Sequence, residues 1–97
     1  MPQLQYAPRA LTDLECLVDF LLEDAPDAAS VTYALIESAL LMLERHPLIG
    51  RPAEHGLREL VISRGRTGYL ALHRFDEQRD AVLVLAVRHQ REAGFIS

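Results

Sequence analysis

Lysine is missing from this chain of 97 residues; all ten of its basic side chains are arginine. Cysteine occurs once, at Cys16, which excludes a disulfide framework and a pair of thiolates around a metal. Cys16 falls in a helical pattern and is expected to be an inert thiol, buried or half-buried. The longest apolar run is the seven residues 81–87, far short of the roughly 20 needed to cross a bilayer. The opening MPQLQYAPRALTDLE has neither the basic lead nor the apolar stretch of a signal peptide. No membrane association is expected, and a cytoplasmic location follows. His46, His55, His73 and His89 lack ligand spacing, and neither HExxH nor CxxC occurs. Gly50, Gly56, Gly65 and Gly68 form no GxGxxG or phosphate-binding loop. No metal and no cofactor is therefore expected. Ser63 has no readable His–Asp arrangement beside it and is set aside as a nucleophile.

What is present is unevenly distributed. Residues 1–44 hold eight acids and one arginine, a net of −7, whereas residues 45–97 hold nine arginines and six acids, a net of +3. The total of −4 and a pI near 5.5 argue against direct, strong nucleic-acid binding. Arginines gathered on one half suit carboxylates of an acidic partner, although each taken alone also fits ordinary solvated charge. With 49% hydrophobic and 25% charged residues, the chain reads as one globular domain over residues 1–97, without repeats or linkers.

Gln3–Ala7 alternates and reads as a first strand at a sheet edge, and Pro8 suits the first turn of a helix. Ala10, Leu11, Leu14, Leu17, Val18, Leu21 and Leu22 then form one apolar helical stripe, with Asp13, Glu15, Asp19 and Glu23 on the wet face. The helix should end near residues 23–25, before Pro26. A second helix, capped by Asp24 or Asp27, is predicted from Pro26 to about Arg45, where Pro47 stops it. Its stripe is Val31, Leu35, Ser38 and Met42, with Ala34, Ala39 and Leu41 alongside. It is apolar enough all round to be gripped from two sides. After a loop over residues 48–56, three runs rich in branched and aromatic residues follow: Leu57–Ser63, Tyr69–Phe75 and Ala81–Val87. Breaks of about five residues permit only antiparallel neighbours. The last run is apolar throughout and should be central and covered on both faces, or nearly so. The fold class is α+β: a helical hairpin packed on a small, mainly antiparallel sheet in the order β-α-α-β-β-β.

One cluster invites chemistry. Arg88-His89-Gln90-Arg91 stands where the most apolar strand leaves the sheet. His89 can move a proton and the arginines can hold a phosphate. Taken alone, the same residues fit better as a polar strand terminus paired with Glu92 or Glu59.

These residues also carry a resemblance. Pro47-Leu48-Ile49-Gly50-Arg51-Pro52, Leu57-Arg58-Glu59-Leu60, Gly68-Tyr69 and Arg88-His89-Gln90-Arg91, in that order and spacing, resemble the RelE/ParE superfamily of bacterial type II toxins. Ala10-Leu11-Thr12-Asp13-Leu14-Glu15 is similar to the family's opening helix, so the resemblance covers nearly the whole chain. It implies a growth-arresting toxin encoded with a cognate antitoxin that folds around it in a hetero-oligomer.

Two mechanisms occur on such a fold. RelE-like members cleave mRNA in the ribosome with several basic residues and an acid/base side chain; ParE-like members poison DNA gyrase by protein binding. This chain departs from the first kit. Val61, Ile62 and Ser63 stand where RelE-like chains usually carry lysines, Leu70 where an arginine commonly follows Gly-Tyr, and Phe95 near where a catalytic tyrosine can lie. The resemblance therefore implies a ParE-like gyrase inhibitor with no catalytic residue. Its candidate target- or antitoxin-binding residues are Arg58, Arg64, Arg66, Tyr69, Arg88, His89 and Arg91. In the alternative, an mRNA endonuclease, His89 is the general acid/base and Arg91 steadies the phosphate. A third reading is an interaction module without toxicity.

Overall fold

The computed structural model of the protein describes residues 1–64 and 67–89. Five strands and two helices follow one another as β1 (Gln3–Tyr6), α1 (Pro8–Asp24), α2 (Ala29–Leu41), β2 (Arg51–Pro52), β3 (Arg58–Arg64), β4 (Thr67–Asp76) and β5 (Ala81–His89). They form one sheet in the order β1-β5-β4-β3-β2, with the helices on one of its faces. β3, β4 and β5 are the expected antiparallel meander, and β1 pairs in parallel with β5, from Gln3 opposite Ala81 to Tyr6 opposite Val84.

Pro8 opens α1, as its fixed φ and missing N–H allow, after Ala7 in extended conformation. The helix closes at Asp24, where the Ala25 N–H donates to the Leu21 carbonyl at 2.8 Å. Pro26–Ala28 then make a single 3₁₀ turn. That turn displaces the expected caps: Ala25 and Ala28 take the cap positions, with no side-chain hydrogen bond from Asp24 or Asp27. A second 3₁₀ turn, Met42–Glu44, prolongs α2 towards Pro47.

The inner face of α1 is Ala10, Leu14, Leu17 and Leu21, as its spacing predicts, but Leu11 and Leu22 are left outside. The expected stripe of α2 is the wrong one. Ala29, Thr32, Ile36 and Leu40 are buried, continued by Leu43, while Val31, Ser38, Leu41 and Met42 lie outside and Leu35 is half-buried. A helix apolar nearly all round offers several stripes, and periodicity does not choose among them. Ile36, Leu40 and Leu43 are each essentially inaccessible, and burying an aliphatic side chain of this size stabilises by about 1.5–3 kcal/mol. Cys16 is exposed, not buried as expected: it sits away from the stripe that meets the sheet.

Alternation divides every strand between two faces. Leu4, Tyr6, Leu60, Ile62, Tyr69, Ala71, Val82, Val84 and Val87 meet the helices. A bulge between Leu72 and His73 leaves Leu85 as an extra residue on β5 and keeps the two strands in phase beyond it. β5 is internal, as expected, and sealed on the helical face; on the other, Ala81 and Ala86 are buried and Leu83 is half-buried.

The predicted loop over residues 48–56 contains the two-residue β2, which pairs Arg51 with Glu59 and Pro52 with Arg58. Gly50 makes that possible. Its φ is +98°, and a Cβ there would stand 2.5 Å from the Glu59 carbonyl oxygen.

Candidate functional site

Neighbouring residues on a strand point to opposite faces, and this separates the residues that the sequence placed together. His89, in register with Tyr69 and through it with Ile62, belongs to the helical face. Its ring meets Tyr69 edge-on at 5.3 Å between centroids and Phe20 of α1 at 6.3 Å. Edge-to-face pairs of this kind add roughly 0.5–1.5 kcal/mol each beyond burial. Tyr69 is itself only 2% exposed. Arg58 also lies on the helical side, opposite His73, and donates to the Gly50 carbonyl at 3.3 Å. Arg88 is on the other face. Arg64 is the last residue of β3, and Arg66 and Arg91 lie outside the described residues.

Asp13, assigned to the wet face by periodicity, instead ties α1 to this corner. β1 ends opposite Val84, so among the described residues β5 has no strand beyond that point on its β1 side. The Val87 N–H donates to the Asp13 carboxylate at 3.0 Å. Arg9 lies 3.9 Å from the same carboxylate. Only the topology reveals this role.

The sheet face that carries no helix among the described residues is the larger unexpected feature. Val61, Leu70 and Arg88 form one lateral row; Glu59, Leu72 and Ala86 form the next; Arg74 stands beside Leu83 in a third. Same-face neighbours on paired strands are about 5 Å apart, so these aliphatic side chains are contiguous. Arg88 bounds the surface at one end and Arg74 at the other. Arg51 bounds it at the β2 edge, 3.9 Å from Glu59. Asp76, at the Arg74 end, is engaged by the β4–β5 turn, accepting from the Gln78 and Arg79 N–H groups at 3.1 and 3.3 Å. The surface is an aliphatic floor with a cationic rim. Its signal in the sequence was the alternate set of positions within each strand, disguised by the bulge.

Two titratable groups are shifted. Burial, then the charges of Tyr33, Glu37 and Glu44, raise the Tyr6 hydroxyl above its ordinary value. Burial lowers His73 below its ordinary value; the Ile49 carbonyl opposes this and Arg58 adds to it. Among the described residues no three His, Cys, Asp or Glu side chains gather where a metal ion would fit, and no helix is long and apolar enough to cross a membrane.

Known proteins share this fold. The family described as the ParE toxin of the type II toxin–antitoxin system parDE matches residues 4–94. The protein Toxin RelE3 of Caulobacter vibrioides is 37% identical over 92 residues, 95% of this chain and 98% of that one. A chain of the chromosomal ParDE toxin–antitoxin system from P. aeruginosa superposes with a TM-score of 0.77 at 22% identity, covering 92% of this chain and 96% of that one. A chain of the intact E. coli RelBE toxin–antitoxin complex gives 0.68 at 15% identity, covering 91% and 95%.

Proposed function

We propose that this chain, which belongs to the ParE toxin family of type II toxin–antitoxin systems, acts by binding DNA gyrase and not by cleaving RNA. The observation that carries this reading is the open sheet face. Where a nuclease needs a ring of cations around a phosphate, the centre is Val61, Leu70, Leu72 and Leu83, and the arginines stand at its rim. Such a surface suits a protein partner, with apolar anchors inside and charged contacts outside. The half-buried His89 turns its ring towards Phe20 and Tyr69 on the helical side, on the face opposite the Arg88 that would have to hold a phosphate beside it.

The antitoxin is the second partner of this reading. The ParDE and RelBE neighbours are toxin–antitoxin assemblies, and an acidic, amphipathic segment folding on the open face would set its carboxylates against Arg51, Arg74 and Arg88. Its affinity should then fall with salt; a salt-independent affinity would point to apolar contacts alone.

The test is induction of the chain alone in a bacterial host, following thymidine and amino-acid incorporation over the first minutes. DNA synthesis failing first, with inhibition of purified gyrase, is the expected result. Absence of any effect on gyrase at any dose sinks the proposal. If protein synthesis fails first, the endonuclease becomes the reading, favoured by the 37% identity to a protein named Toxin RelE3. His89→Ala should then abolish message cleavage while the protein stays folded. If neither synthesis falls, the chain is a non-toxic interaction module that retains the antitoxin surface.

A further inference from the structure

The outer surface of α2 departs from what a solvated helix carries. Residues 28–43 hold a single charge, Glu37, whereas α1 holds six. Glu37 lies on a flank, where its charge acts on Tyr6 of β1. Opposite the buried line of Ala29, Thr32, Ile36, Leu40 and Leu43 run Asp27, Val31, Ala34, Ser38, Leu41 and Arg45, all six exposed. Val31 and Leu41 keep 56% and 48% of their surface open. A helix face turned away from the core is ordinarily polar; between its two ends this one is not. Asp27 sits in the 3₁₀ turn before the helix, and Arg45 directly follows the turn that prolongs it. Among the described residues neither has an ion-pair partner.

The six positions are spaced four, three, four, three and four residues apart, so the row reads the same in both directions. Laid antiparallel on a second copy of itself, about an axis level with Ile36, it matches Asp27 with Arg45, Val31 with Leu41 and Ala34 with Ser38, each pair occurring twice. Acid meets base at both ends. Aliphatic meets aliphatic inside them, and small residues at the centre let the two backbones approach. An isologous two-fold contact requires this self-complementarity. Antiparallel helices also set each macrodipole beside the opposite end of the other.

We propose that α2 is the contact of a symmetric homodimer in which these rows pair antiparallel. Six side chains from each copy are fewer than the about 20–30 of a standard interface, so the dimer is weak, with a Kd on the order of ten micromolar. The helices lie on the face of the sheet opposite the aliphatic floor, so pairing through α2 leaves both open faces outward. The inference therefore stands whether the target is gyrase or the ribosome.

The experiment is sedimentation velocity on the full chain between about 1 μM and 1 mM, where the mean mass should rise from 10.9 kDa towards twice that value. Asp27→Arg and Arg45→Asp each set like charges together at both ends of the contact and should each weaken the dimer roughly tenfold or more. The double variant preserves the match and should recover the original affinity to within about threefold. Ala34→Glu, at the centre, should abolish the dimer. All three positions are exposed, so circular dichroism should show the fold unchanged. A chain that stays monomeric throughout overturns the proposal, as does dimerisation indifferent to Ala34→Glu or a double variant as weak as the single ones. If the row belongs to the antitoxin instead, the chain alone is monomeric and Ala34→Glu weakens the co-purified toxin–antitoxin complex, which also overturns it.

Discussion

The two faces of the sheet are built from the same strands and do different work. On the helical face Val82, Val84, Val87, Tyr69 and Ala71 are buried against α1 and α2, closely enough that the residues there serve packing first. On the other face the alternate residues are just as aliphatic, but only the small Ala81 and Ala86 are buried: Leu70, Leu72 and Leu83 are half-buried, and Val61 is exposed. The difference separates composition from role. A strand of uniform hydrophobicity such as β5 does not announce that one of its faces is core and the other a surface kept for a partner.

The sharpest way to break the comparison is to put the same charge on each face. Val84→Asp buries a carboxylate with no partner and should cost more than about 4 kcal/mol, enough to unfold the domain in a denaturant titration. Leu72→Asp should cost about 1 kcal/mol in the same titration, yet weaken antitoxin or gyrase binding by roughly thirtyfold or more in calorimetry. Equal stability losses for the two variants would mean that the open face is core as well.

Next in size is Gly50→Ala. A Cβ at 2.5 Å from the Glu59 carbonyl oxygen must push β2 off β3, and the left-handed φ adds strain, for about 2–3 kcal/mol in thermal unfolding. Asp13→Ala should cost about 1–3 kcal/mol by leaving the Val87 N–H without its acceptor, and Asp13→Asn should recover much of that. The smallest effect is expected for Arg51→Ala. Its ion pair with Glu59 is largely exposed, so stability should change by less than about 0.5 kcal/mol, while the salt dependence of partner binding flattens.

Much of this molecule was legible in its sequence for a physical reason. α1, β3, β4 and β5 carry strong local signals, and Pro8, Pro26 and the polar breaks mark their ends within a residue or two. The inner face of α2 was not legible, because its apolar side chains run nearly all round the helix. β2 was hidden too, since two residues have no periodicity. At the candidate site, composition brought Arg88 and His89 to one strand terminus, but only the pleat shows that they face opposite ways. Tyr69 and Arg58, taken for surface contacts, turn inward. Asp13 acquires its role through a strand distant in sequence, which no local pattern reports.

The pairing of β1 with β5 has a consequence for how the chain is made. The edge strand that begins at Gln3 finds its partner at Ala81, and the bond from Asp13 to Val87 spans 74 positions. As synthesis proceeds from the N-terminus, β1 and the inner stripes of α1 and α2 emerge before any of the meander that covers them. Such distant contacts form late and expose apolar surface while they wait. A helical hairpin therefore emerges still short of its sheet, and β5, translated after the other described strands, joins β1 to the meander.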